Sequence, residues 1–328
     1  MSKQRESWVD YIKVFACVLV VLGHFFQSMV KAGILPENDL YTWFNTTIYY
    51  FHVPLFFICS GYLYQKYSVV DSWPSWKQIV IKKAVVLGIP YFVFSFATWL
   101  LKKAFARAVN NEVGGLLDTL ILHPTAPYWY LYVLFFFFVL VPTLKGKRGV
   151  YTLLSIALGL RVIKTIWGLP RYQIYTISKI SENLIWFVLG MLIAVFGIKK
   201  LKRPVFGAVL GLIFIGLSVQ LYRSESVWIP FGLGLLACIA VLMITIGIKE
   251  LKVLDIAATY TMPVFLMHTL FAAPMRTILL KAGINSAVLH VAAGILISFI
   301  GPILDMKVLQ IIKLDWIVYP GRLLKKRS

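Results

Sequence analysis

The chain has 328 residues, 60% hydrophobic and 14% charged, with a formal net charge of +20 at pH 7 and a mean hydropathy of +0.81. That apolar content exceeds the need of a soluble globular domain and excludes that class. The positive charge does not mark a nucleic-acid binder, because the Lys and Arg fall in short runs between apolar stretches, such as KGKR (145–148), KKLKR (199–203) and RLLKKR (322–327), the pattern that orients membrane proteins and meets anionic lipid.

Runs long enough to cross a bilayer predict an all-α, polytopic transmembrane helical bundle. About ten spans fall near 9–30, 46–64, 80–101, 127–144, 150–167, 182–198, 204–222, 228–248, 255–275 and 286–311. The loops after the even-numbered spans hold more Lys and Arg than the opposite loops, which places both the N and C termini in the cytoplasm. The first run is full-length and has no small-residue cleavage site, so it is read as a retained span. Short loops make residues 1–328 a single integral membrane domain with no appended soluble domain.

The first span carries the most informative pair. Lys13 and His24 are eleven residues apart, nearly a whole number of turns, so they share a face roughly 16 Å apart along the axis at about 1.5 Å per residue. Asp10 and Cys17 continue the stripe. Ionisable groups are costly within a span and mark functional sites by default. The expectation is that the two heads face one shared, water-accessible chamber. There Lys13 meets an anionic group, Asp10 orients Lys13, and His24, with an ordinary pKa near neutrality, takes a proton from an alcohol. The bland alternatives are a snorkelling lysine and a histidine donating one hydrogen bond.

In the second span, FHVPLFFICSGYLYQK (51–66) places His52 ahead of Pro54 and Ser60 beside Gly61. A hydroxyl and a close backbone approach suit a ligand contact, and equally suit helix packing. The segment 66–92 combines Lys66, Lys77, Lys82 and Lys83 with Trp73 and Trp76. That mix suits a nucleotide with several phosphates, and equally an interfacial stretch on anionic lipid. Residues 102–126 are long enough for a lid or a re-entrant element. Trp129, between Tyr128 and Tyr130, reads as a carbohydrate platform or as part of an aromatic belt. His268 falls mid-way along the ninth span, while Asp255 and Glu182 read as span-end residues and His123 and His290 as loop residues.

Prolines 54, 90, 142, 263 and 274 predict kinks or broken turns. The three cysteines show no metal-ligand spacing and read as small buried hydrophobes. No metal site is expected. Walker, HExxH and Rossmann patterns are absent from the sequence, which argues against an ATP-driven pump and a zinc protease.

Taken together, Lys13 and His24 with Asp10, PLFFICSGYL (54–63), KK…PY (82–91), WYL (129–131) and VFLMH (264–268) resemble, in order and spacing, the acyltransferase-3 family of integral membrane acyltransferases, which includes sugar O-acetylases. Many members have Arg where this chain has Lys13, and Lys keeps the charge without the bidentate fork. The resemblance implies acyl transfer, acetyl in the first instance, from cytoplasmic acyl-CoA to a hydroxyl of a surface or lipid-linked glycan in a bacterial plasma membrane. It assigns His24, Lys13, Asp10 and His268 to the chemistry. Lys66, Lys82, Lys83, Ser60 and Gly61 go to the acyl-CoA, and His52 and Trp129 to the acceptor. Members lacking an extracytoplasmic transferase domain are expected to stand alone or to use a separate partner. The competing reading is a transporter or flippase for a glycolipid or small anion, with Lys13 and His24 lining the passage.

Overall fold

The computed structural model describes residues 6–104, 114–167 and 175–325, and among these there is no strand. The helices are α1 (Ser7–Lys31), α2 (Asp39–Tyr49), α3 (His52–Tyr67), α4 (Trp73–Ala104), α5 (Trp129–Leu140), α6 (Gly146–Trp167), α7 (Tyr175–Phe196), α8 (Pro204–Leu221), α9 (Ile229–Gly247), α10 (Lys252–Lys281), α11 (Ala287–Ile311) and the short α12 (Gly321–Lys325). A single π-helical turn, Asp118–Leu122, lies between α4 and α5.

Local chemistry sets many of these boundaries. Asn38 caps α2 by accepting from the Tyr41 amide at 2.9 Å, and Ser286 caps α11 through the Leu289 amide. Pro204 and Pro230 stand in the first turns of α8 and α9, where no amide donor is needed. The same tetrapeptide, Lys-Ala-Gly-Ile, ends α1 (31–34) and α10 (281–284). In both, the glycine takes a positive φ, 70° at Gly33 and 73° at Gly283. The next amide then reaches back to a carbonyl of the last turn, Ile34 to Met29 at 3.1 Å and Ile284 to Leu279 at 3.0 Å.

Eight helices are long and apolar enough to cross a membrane. Two of the expected spans are shorter than the sequence suggested. The run 46–64 breaks at Tyr50–Phe51 into the end of α2 and the 16-residue α3. The run 127–144 holds only the 12-residue α5. At about 1.5 Å per residue these reach about 24 and 18 Å, against about 30 Å of hydrocarbon. The basic-aromatic stretch 66–92, expected as a loop leading into a span, is largely the opening of α4, with the Trp73 and Trp76 rings stacked at 4.5 Å.

Helix α3 packs most extensively on α7, and α1 lies against α3 and α10. The α3–α7 contact is backbone against backbone. A Cβ on Gly61 would stand 1.9 Å from the Phe187 carbonyl oxygen, and one on Gly190 would stand 2.0 Å from that of Ile58. The end of the bundle where α1 begins is tied by polar contacts. Gln65 on α3 exchanges hydrogen bonds with the backbone of Leu144, at 2.8 and 3.0 Å. The Glu6 carboxylate accepts from Trp8 Nε1 at 3.0 Å, Tyr62 Oη at 3.3 Å and Tyr67 Oη at 2.6 Å, and pairs with Lys66. Burial pushes the Glu6 carboxyl up, but the bonds from Lys66, Tyr67 and Trp8 outweigh it and hold its pKa below the ordinary value.

Gly61→Ala and Gly190→Ala should each cost about 1–3 kcal/mol through overpacking. Gly88→Ala, where a Cβ meets nothing within 4 Å, should leave thermal unfolding in detergent unchanged. Because the Glu6 pKa is depressed in the folded chain, the stabilisation it confers is present above the unfolded carboxylate pKa of about 4.3 and is lost as pH falls through the folded value. Glu6→Gln should therefore lower the melting temperature at neutral pH and flatten its fall in acid.

Candidate active site

The short helices leave a chamber of about 190 Å³ towards the end of the bundle where α1 finishes. Val20, His24 and Gln27 line it from α1, and Tyr49, His52 and Phe56 from α2 and α3. The start of α5 adds Trp129 and Tyr130, entered through a cis Ala126–Pro127 bond. Phe265 of α10 closes one side.

Three histidines meet here. The His24 ring stacks on that of His268 at 5.5 Å between centroids, and the edge of Tyr49 joins His24 at 6.5 Å to His52 at 4.7 Å. His52 Nδ1 lies 2.5 Å from the Ile48 carbonyl oxygen, and His268 Nδ1 lies 3.0 Å from those of Val264 and Phe265. Carbonyls only accept, so Nδ1 carries the proton in both rings and Nε2 is left as a basic lone pair. His268 Nε2 is buried with no hydrogen-bond partner among the described residues. His24 makes no hydrogen bond within the described protein and presents its ring to the cavity. Tyr130 Oη lies 3.0 Å from Ser60 Oγ and 3.3 Å from the Phe56 carbonyl, which connects Ser60 to the chamber wall.

The structure therefore brings together His24, His52, His268 and Trp129 from four separate helices. It does not bring Lys13 into the same cavity. Lys13 and Asp10 share the His24 face of α1, but the chamber lining on that helix begins at Val20. The buried Cys17 lies on α1 between them, its Sγ donating to the Thr261 carbonyl at 3.5 Å. Lys13 is thus not among the residues lining the histidine chamber. Gly61 is occupied by its contact with Phe187 and faces α7, so the expected ligand approach there is corrected to helix packing. At the opposite end, Lys66 is engaged by Glu6 and Tyr62, Lys83 lies 3.9 Å over the Phe138 ring, and Lys82 is exposed.

Several contributors were not singled out from sequence. Tyr49 and Gln27 had no motif around them. Lys179 sits 5.1 Å over the Trp129 ring, held by Glu182 at 3.2 Å, and Glu182 also pairs with Lys164 at 3.0 Å. Glu182, read as a span-end residue, stands two turns inside α7 because that helix begins at Tyr175. His123 pairs with Asp118 at 2.6 Å, and His290 Nε2 contacts the Ile284 carbonyl at 2.8 Å. Among the described residues, no three His, Cys, Asp or Glu side chains are arranged to hold a metal.

The acyltransferase-3 family model, described as an acyltransferase domain, matches residues 6–304. The chain belongs to this family. Among curated proteins it is similar to the nodulation protein NolL of Mesorhizobium japonicum, 30% identical over 146 residues, covering 44% of this chain and 37% of that protein. NolL of Sinorhizobium fredii is 30% identical over 139 residues, covering 42% and 36%. The inner membrane protein YcfT of Escherichia coli is 26% identical over 215 residues, covering 57% and 56%. The chain thus spans between a third and just over half of the curated relatives it matches. No solved structure matches it. Apolar helices and these bacterial membrane relatives make it a bacterial integral membrane protein.

Because His24 lines the cavity while His52 and His268 are 2% and 1% exposed, diethyl pyrocarbonate should modify His24 ahead of both. Peptide mass spectrometry of a time course checks this, and prior labelling of His52 or His268 would contradict the chamber geometry.

Proposed function

We propose that this chain is a membrane O-acyltransferase that moves an acyl group, acetyl in the first instance, from acyl-CoA to a hydroxyl of a cell-surface or lipid-linked glycan. One observation carries the reading within this family: a cavity-facing imidazole, His24, is stacked on a second histidine whose tautomer is fixed, in a chamber walled by Trp129 and Tyr130.

The acceptor oxygen attacks the thioester carbonyl carbon. A C–O bond forms, the C–S bond breaks, and the hydroxyl proton passes to His24 and on to the departing thiolate. The neutral imidazole is the form that accepts a proton. His268 and His52, each fixed with Nε2 as acceptor, orient the acceptor hydroxyl and the water around it. Trp129 offers a flat face to a sugar ring, with Lys179 stacked behind it.

Donor binding belongs to the opposite end, where Lys82 and Lys83 meet the CoA phosphates. Lys66 contributes there only by sharing its contact with Glu6. Lys13, with Asp10 beside it, lies between that end and the chamber and guides the donor along α1. The acyl arm must then pass the Cys17 layer, so side chains there move when donor binds. The transport reading needs Lys13 and His24 in one passage, and the absence of Lys13 from the chamber lining gives it less support.

The test is transfer of label from acetyl-CoA to glycan in membranes. His24→Ala, folded and at the parent level, should lose about 10²–10⁴ in rate. Transfer at the parent rate would remove His24 as the base, and substrate movement without any acylation would favour transport.

A further inference from the structure

Beside the histidine chamber lies a second, polar cleft of about 120 Å³, formed by the last turns of α4 and the segment leading into α5. Trp99 and Lys102 come from α4, Asp118 and Thr119 from the π-helical turn, and His123 and Thr125 from the segment beyond it. The cleft and the chamber are contiguous along the chain, since Thr125 lines the first and Ala126 and Pro127 line the second.

Among the described residues its charges do not balance. Asp118 is taken by His123 Nδ1 at 2.6 Å. Lys102 Nζ is half-buried and donates to a neutral hydroxyl, Thr125 Oγ1, at 3.3 Å. Among the described residues no carboxylate stands within ion-pair distance of it. A half-buried ammonium without a counter-charge is costly, and a ligand anion offsets that cost.

Its lining of an ammonium and hydroxyls suits a charged oxyanion such as a carboxylate or a phosphate.

We infer that this cleft binds the anionic substituent of the acceptor, a carboxylate or phosphate borne by a saccharide. The charged group pairs with Lys102 and accepts from the Thr125 hydroxyl, whose own proton is not used by Lys102. The ring then lies over the Thr125–Pro127 stretch, and a hydroxyl on its far side is delivered to His24. The inference rests on the reading of a glycan acceptor. Its test reads binding alone, so its failure leaves the role of His24 standing, and loss of transfer in His24→Ala leaves the cleft untouched.

The experiment titrates the full chain, in nanodiscs of neutral lipid, with glucose, glucuronate, glucose 1-phosphate and inorganic phosphate. At least one charged sugar should bind about tenfold or more tighter than glucose, the scale of a partly buried charge pair. Whichever charged sugar wins identifies a carboxylate or a phosphate as the recognised group. The preference should vanish in Lys102→Gln, survive in Lys102→Arg, and shrink for the parent as salt is raised. Equal binding of glucose and both charged sugars, or a preference that Lys102→Gln or salt leaves unaltered, overturns the inference. So does inorganic phosphate binding as tightly as the sugar phosphate, which would make the cleft a simple anion or lipid-headgroup contact. If Lys102→Gln does not fold, the salt series on the parent decides.

Discussion

Two helices too short to cross the hydrocarbon determine the rest of this structure. A 16-residue α3 and a 12-residue α5 begin well inside the bundle, because α3 is pinned to α7 by glycines at the crossing and, at the far end, to the segment after α5 by the Gln65–Leu144 clamp. Their starts therefore lie at depth, and the volume above them is available. Backbone that is not helical is tolerated at such depth only when it is buried in protein or lines a cavity. Here α2, the π-helical turn and the approach to α5 satisfy that condition, and the enclosed space is the histidine chamber.

The chemistry follows from where those short helices start. His52 opens α3 and Trp129 opens α5, so both reach the chamber floor. His24 and His268 approach from α1 and α10, which pack along one another. Hydrogen bonds from Nδ1 to backbone carbonyls consume one nitrogen of His52 and one of His268 and leave the other basic. Cations gather on the outer side of the same chamber, with Lys179 behind Trp129 and Lys102 beside Thr125.

Much of this was legible in the sequence, and the failures have physical causes. Apolar runs and basic loops located the helices, and intramembrane polarity singled out His24, His52 and His268. Their meeting depends on tertiary packing among α1, α3 and α10, which spacing along one helix cannot reveal. Periodicity put Lys13 and His24 on one face correctly, yet a shared face is not a shared cavity. Some 16 Å separates them at about 1.5 Å per residue, and the chamber lining on α1 begins at Val20. The break at Tyr50–Phe51 escaped because apolar residues run through it. Pro54, read as a kink or broken turn, stands in the first turn of α3, where the backbone amide has no intrahelical partner to lose. Gly61 has the same history: the need for close approach was read correctly, but the approaching group is the Phe187 backbone.

The central claim is that acyl transfer takes place at His24 inside this chamber. A cryo-EM map of the full chain in nanodiscs with a non-hydrolysable acetyl-CoA analogue tests it most directly. The account predicts the CoA phosphates at the Lys82–Lys83 end, a displaced Cys17 layer, and the acyl carbonyl carbon in the chamber, where an acceptor oxygen activated by His24 can come within about 3–3.5 Å of it. An acyl group held beside Lys66 or Lys83, with the Cys17 layer closed and no path to His24, would contradict it.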